Sequence, residues 1–128
     1  MTDSRLLGIV FSNMHDDTIR ELTANRTMGS VPYGGRYRLV DFALSSLVNS
    51  GVSTVGIITK SNYQSLMDHV GSGRDWDLSR KIGGLSILPP FGNSLSNGIY
   101  SGDLEALDGV MNYIRRAPGS HVLLCDCD

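Results

Sequence analysis

The sequence predicts an α/β fold, a parallel sheet flanked by helices on both faces, and three observations carry that prediction. Residues 6 to 12 (LLGIVFS) and 53 to 59 (STVGIIT) are continuous apolar runs of strand length, as strands covered on both sides require. Between them Leu39, Val40, Phe42, Ala43, Leu44, Leu47 and Val48 recur at helical spacing. The last eight residues, HVLLCDCD, form a further apolar run, read as a third buried strand.

The elements follow in order. The first strand leads into SNMHDDT at 12 to 18, a turn with no glycine and two acids. A loop marked by Pro32, Gly34 and Gly35 precedes the long helix, and Gly51 is its expected C-terminal stop. After the second strand, SNYQSLMDHVGSG reads as a short helix capped by Ser61 or Asn62 and ended by Gly71. Periodicity fades from Arg74 to Gly98, where GGLSILPPFGN supplies at most one short strand. Residues 103 to 116 read as one amphipathic helix, with Asp103 and Glu105 at its positive end and Arg115 and Arg116 at its negative end. No internal repeat or low-complexity tract interrupts the chain.

Composition narrows the function classes. A chain of 128 residues with 41% hydrophobic content is ordinary for one small globular domain. A formal net charge of -2 argues against strong attraction to nucleic acid or to an acidic membrane surface. No apolar run reaches transmembrane length, and the first dozen residues lack the core and cleavage site of a signal peptide. Cys125 and Cys127, two apart on one strand, are poor disulfide partners and have no further ligands for zinc, so a reduced, cytoplasmic setting is expected. In open α/β sheets the ligand crevice lies beyond the carboxyl ends of the strands. A chain that ends on such a carboxyl end is expected to be part of a longer protein.

The block NRTMGSVPYGGRYRLVDFALSSLVNSG at 25 to 51 resembles the N-terminal region of bacterial glucose-1-phosphate adenylyltransferases, the ADP-glucose pyrophosphorylases. That family has Arg-Ala-Lys-Pro, then Gly-Gly-Lys/Arg-Tyr/Phe-Arg, Ile/Val-Asp-Phe and a helix ending in Asn-Ser-Gly. The resemblance continues through GIITKSNYQSLMDHVGSG, YSGDLEALDGVMNYIRR and HVLLCDCD, and is weakest between 74 and 98. In character the chain is nearest to the second, regulatory subunit type of Gram-positive bacteria. The resemblance implies a three-layer Rossmann-like nucleotidyltransferase fold with a parallel-dominated mixed sheet. Residues 1 to 128 would be its N-terminal portion, with the remainder and a C-terminal left-handed β-helix lying beyond. Active relatives join ATP and glucose 1-phosphate into ADP-glucose on the way to glycogen, using carboxylate-held Mg2+ and cations around the phosphates.

Carried over position by position, the resemblance implies a degenerate site. Active members carry Gly-Gly-x-Gly-Thr-Arg-Leu after the first strand. Sliding back from Leu22-Thr23 without gaps puts Asn13, Met14, His15, Asp16, Asp17, Thr18 and Ile19 there. Side chains then obstruct close backbone approach, and Asp16 and Asp17 oppose polyphosphate. The phosphate-binding arginine becomes Thr18 and the lysine of Arg-Ala-Lys-Pro becomes Met28, so no catalytic residue is assigned. Gly34, Gly35, Arg36 and Gly102 remain as vestigial nucleotide-binding candidates, though Asp103 and Leu104 depart from the family's Gly-Thr-Ala turn. Arg36 and Arg38 either face a phosphate or pair with carboxylates such as Asp41, itself read as a scaffold acceptor.

Asp128 aligns with the metal-binding aspartate, with Asp126 its rival if the register slips. His15, His69 and His121 have no evident partner carboxylate, and Trp76 reads as a packing anchor for its loop or a stacking surface for a base. The expected role is a regulatory, catalytically impaired subunit that pairs with a catalytic ADP-glucose pyrophosphorylase subunit in a hetero-oligomer, with at most weak binding of ATP or a sugar phosphate; no cofactor is assigned, Mg2+ being that of the active relatives. The alternatives are an active adenylyltransferase and a module that senses a sugar phosphate or nucleotide.

Overall fold

The computed structural model describes residues 3–12, 16–59, 63–79, 83–88 and 107–127. The first apolar run becomes strand β1, Asp3–Phe11. Its side chains alternate: Leu7, Ile9 and Phe11 face one side, and Val10 faces the other. Gly8 shares the face of Val10, where a Cβ would meet Leu47 Cδ1 at 3.1 Å, so the missing side chain lets a helix approach the strand closely. A 3₁₀ turn over Asp16–Ile19 and helix α1, Arg20–Thr23, follow.

Strands β2, Pro32–Tyr33, and β3, Tyr37–Arg38, form a small antiparallel ribbon with Tyr33 opposite Tyr37. Its turn holds Gly34 and Gly35 at φ 65 and 87, backbone conformations that an L side chain resists. Helix α2, Leu39–Asn49, begins immediately. Asp41, at its third position, accepts the Arg38 backbone N–H at 2.8 Å and satisfies one free donor of the first turn. Gly51, at φ 89, closes the helix by donating its N–H to Val48 O at 3.0 Å.

Strand β4, Val52–Ile58, then helix α3, Gln64–Val70, follow, and Gly71 at φ 54 ends α3. The helix begins after Tyr63, which makes no side-chain cap, while Ser61 and Asn62 lie outside the described residues. Strand β5 is Gly84–Leu88. The helix expected over 103 to 116 is broken in its described part: residues 107–109 are helical, Val110 leaves the helical region at φ -113, and α4 spans Met111–Arg116. Gly109 followed by β-branched Val110 explains the interruption, since both are weak helix formers.

The main sheet has the order β5-β4-β1-β6, every neighbouring pair parallel. One core unites α2, α3 and the Val10, Val55 and Ile57 face of the sheet. A second unites the Leu7, Ile9, Phe11 and Ile58 face with Val110, Tyr113 and Ile114 around α4. Helices thus cover both faces, making three layers.

Strand β6, His121–Asp126, corrects one expectation. It is the fourth strand of this sheet and lies at its edge. Val122, Leu123 and Leu124 are 42, 42 and 49% exposed, where a buried strand was expected. A continuous apolar run reads the same in a central strand and in one at the edge of the sheet, so pattern alone does not separate the two cases.

Candidate functional site

The chain steps outward from β1 through β4 to β5, then returns to place β6 on the other side of β1. This reversal puts the topological switch point at the carboxyl ends of β1 and β6, the position where open α/β sheets bind ligands. Phe11 O accepts the Cys127 N–H at 3.2 Å there. Ser12 is fully buried and fixed twice, through its N–H and its Oγ, onto Ile58 O at 3.2 and 2.8 Å.

The segment Thr27–Ser30 closes onto these strand ends. Gly29 donates its N–H to Ser12 O at 2.8 Å, and a Cβ on Gly29 would stand 3.1 Å from Ser12 Cβ and 3.6 Å from Cys127 Sγ. Met28 is 4% exposed and belongs to the core beneath α2 and α3. Ser30 Oγ donates to Thr27 O at 3.1 Å, and the Ser30 carbonyl accepts Arg38 Nη1 at 2.8 Å and Arg26 Nη1 at 3.4 Å. Thr27 Oγ1 is buried with no hydrogen-bond partner among the described residues, an arrangement that ordinarily costs about 1–3 kcal/mol. The described edge of the crevice is therefore a packed plug of small and apolar groups.

The sequence candidates distribute unevenly over this frame. Thr18 lies exposed on the 3₁₀ turn, and Asn13, Met14 and His15 fall outside the described residues, as do Gly102 and Asp128. Gly34 and Gly35 shape the ribbon turn. Among the described residues the Arg38 guanidinium is turned onto neutral groups, donating to Ser30 O and to Ser65 Oγ, each at 2.8 Å. Arg36 lines a separate groove of about 340 Å³ with Tyr37, Phe42, Asp75 and Trp76. Trp76 packs against the core and meets His69 edge-on at a centroid distance of 6.3 Å.

His69 has the partner that sequence reading did not find. Its Nε2 lies 2.7 Å from Asp41 Oδ1, and the ring N–H donates to the carboxylate. The two residues stand 28 positions apart on different helices, so no local spacing signals the pair. His121 opens β6, exposed, with Ser120 Oγ 2.8 Å from its Nδ1.

Few of the described donors at the strand ends suit a hard cation, Asp126 at the end of β6 being the one carboxylate among them. Magnesium takes oxygen ligands in octahedral array. Ser12 Oγ is already engaged on Ile58 O, and the buried Cys127 offers a soft sulfur. Among the described residues no group of three or more His, Cys, Asp or Glu is placed to hold a metal ion. Nor is any helix among them long and apolar enough to cross a membrane.

A parallel sheet whose order reverses beside its first strand, with helices on both faces, is the architecture of nucleotide-handling α/β domains. The chain belongs to the nucleotidyl transferase family, whose model matches residues 17–118. It is 44% identical over 89 residues to the glycogen biosynthesis protein GlgD of Bacillus subtilis, covering 70% of this chain and 26% of that protein. To GlgD of Geobacillus stearothermophilus it is 46% identical over 87 residues, 68% of this chain and 25% of that protein. The glucose-1-phosphate adenylyltransferase of Geobacillus stearothermophilus is 38% identical over 128 residues, 97% of this chain and 32% of that enzyme. The chain spans about a quarter to a third of the length of these curated relatives.

Proposed function

We propose that this chain is the N-terminal part of a regulatory subunit related to glucose-1-phosphate adenylyltransferases, one that acts in glycogen biosynthesis in the cytoplasm without an effective ATP-polyphosphate site of its own. The observation that carries the reading is Met28. At the position that matches the family's lysine, a thioether side chain is 4% exposed and packed into the core. A cation projecting from that backbone toward phosphate would have to leave this packing. The second cation of the pattern is replaced by Thr18, and Arg38 is held on Ser30 and Ser65. Higher identity to two GlgD proteins than to the adenylyltransferase supports the same assignment, over shorter matched segments.

The function of such a subunit is exerted through a catalytic partner. It keeps the family's sheet and helices, so it can pair with a competent relative and bias that partner's conformation or effector response. The test is synthesis of ADP-glucose by the full-length protein, alone and with a catalytic adenylyltransferase. The reading expects no turnover alone and altered kinetics of the partner. Robust synthesis by the isolated protein would instead establish an active adenylyltransferase. Failure both to turn over and to alter or co-purify with the partner favours a sensing module for a sugar phosphate or nucleotide.

A further inference from the structure

On the face of the sheet that carries α4, a groove of about 780 Å³ runs between that helix and strands β4 and β5. It lies on the opposite face from α2 and α3, and its lining includes none of Ser12, Met28 or Cys127. Its size falls within the range of small-molecule sites, of order 300–1,000 Å³.

The floor is built by an absent side chain. Gly56 sits in the middle of β4, and a Cβ there would stand 2.8 Å from both Leu88 Cδ1 and Tyr113 Cε1. Because position 56 is glycine, the Tyr113 ring and the Leu88 side chain come down onto the strand, and the ring is half-buried. The Ser86 hydroxyl hydrogen-bonds the Tyr113 phenol, while burial drives the phenol's pKa upward, so it stays a neutral hydrogen-bonding group near neutral pH. Asn112 adds an amide, and Leu88, Val110 and Ala117 supply an apolar wall. Arg116, at the end of α4, is exposed and is the sole charged side chain among the described lining residues.

A groove with one apolar wall, a row of neutral hydrogen-bonding groups and one guanidinium is complementary to a particular kind of molecule. We propose that it binds a small organic anion: a planar or apolar body lies against Leu88 and Val110, and a single phosphate or carboxylate is held by Arg116. The fork of donors on arginine suits either group, and no neighbouring carboxylate in the described lining competes for it. The site is separate from the crevice at the strand ends, so its occupancy does not depend on the regulatory reading.

The test is calorimetric titration of the full chain with phenyl phosphate at low ionic strength, with inorganic phosphate and phenol in parallel. Phenyl phosphate is expected to bind with a Kd of about 1 mM or tighter, within the efficiency of a ligand this small. Arg116→Gln should weaken it roughly tenfold or more, as loss of a charge-assisted hydrogen bond implies. Asn112→Trp, which places an indole in the groove from an exposed position, should abolish binding. Arg20→Gln, an equal change of charge on α1, should leave it unaltered. Circular dichroism checks that each variant keeps the fold. Absence of binding overturns the proposal, as does binding indifferent to both groove substitutions. Inorganic phosphate binding as tightly as phenyl phosphate also overturns it, because the apolar wall would then contribute nothing.

Discussion

Asp41 joins two helices through its two carboxylate oxygens. Oδ2 accepts the Arg38 backbone N–H at 2.8 Å, capping α2, and Oδ1 accepts from His69 Nε2 on α3 at 2.7 Å. The pair is mostly buried, with side-chain exposures of 10% for Asp41 and 20% for His69, so the hydrogen bond is shielded from competing water. Asp41→Ala removes both bonds and should lower unfolding stability by about 1–3 kcal/mol. His69→Ala removes only one and should cost less. A double-mutant cycle by urea unfolding checks the relationship: the two losses should be sub-additive, since both delete the same contact.

Gly73 is held at φ 81, where it opens the 3₁₀ turn of Arg74–Trp76. Its carbonyl accepts from Leu78 N at 2.8 Å, and a Cβ would stand 2.8 Å from Leu85 Cβ and 2.9 Å from Leu78 Cβ. Both neighbours are the stiff first atoms of their side chains, and Leu78 is buried. Gly73→Ala therefore combines an unfavourable backbone conformation with a steric overlap, and should destabilise the chain by about 2–4 kcal/mol. Gly71, at φ 54 and ψ -127, has nothing within 4 Å of a Cβ, so the urea midpoint of Gly71→Ala reads the backbone penalty alone, without the overlap.

These two sites show what was legible in the residues and what was not. The helix of α2, its stop at Gly51, the end of α3 at Gly71 and the ribbon glycines at 34 and 35 all follow from local chemistry: helical spacing and the left-handed conformations that glycine tolerates. The Asp41–His69 bond, the turn of Arg38 onto Ser30 and Ser65, and the exposure of β6 do not, because each depends on which distant segment arrives at that place. The same limit shows at Met28. The resemblance identified a missing lysine, but only the fold shows that its replacement is part of the core.

Tyr113 provides a pH signature. Burial raises its pKa above the ordinary 10.0, against a smaller lowering by the Ser86 hydrogen bond. With the folded pKa above the unfolded one, the folded chain holds the phenolic proton more tightly. The associated stability is fully present below the unfolded pKa and is lost as pH rises through the folded pKa. Absorbance titration at 295 nm should show a late phenol ionisation that Tyr113→Phe deletes. Stability of the unaltered chain should fall across the same alkaline window, whereas the fall should be smaller in Tyr113→Phe.

Met28→Lys tests whether one cation can be restored to the crevice. The side chain at this position is 4% exposed and lies among core residues beneath α2 and α3, so a lysine there either buries an ammonium or drags the Thr27–Ser30 segment off the strand ends. Moving the segment would strain the Gly29–Ser12 bond of 2.8 Å and uncover Cys127. The substitution should cost about 3 kcal/mol or more, with no gain in ADP-glucose synthesis in the full-length protein. Met28→Leu, which conserves volume, should cost less than about 1.5 kcal/mol. Urea unfolding distinguishes the two, and labelling of Cys127 by a thiol reagent reports the segment: faster reaction in Met28→Lys than in Met28→Leu would show that the plug has lifted. Equal stability of the two variants would mean that the position can present a cation after all, and the proposed lack of an effective polyphosphate site would then rest on the residue types at 13 to 18 alone.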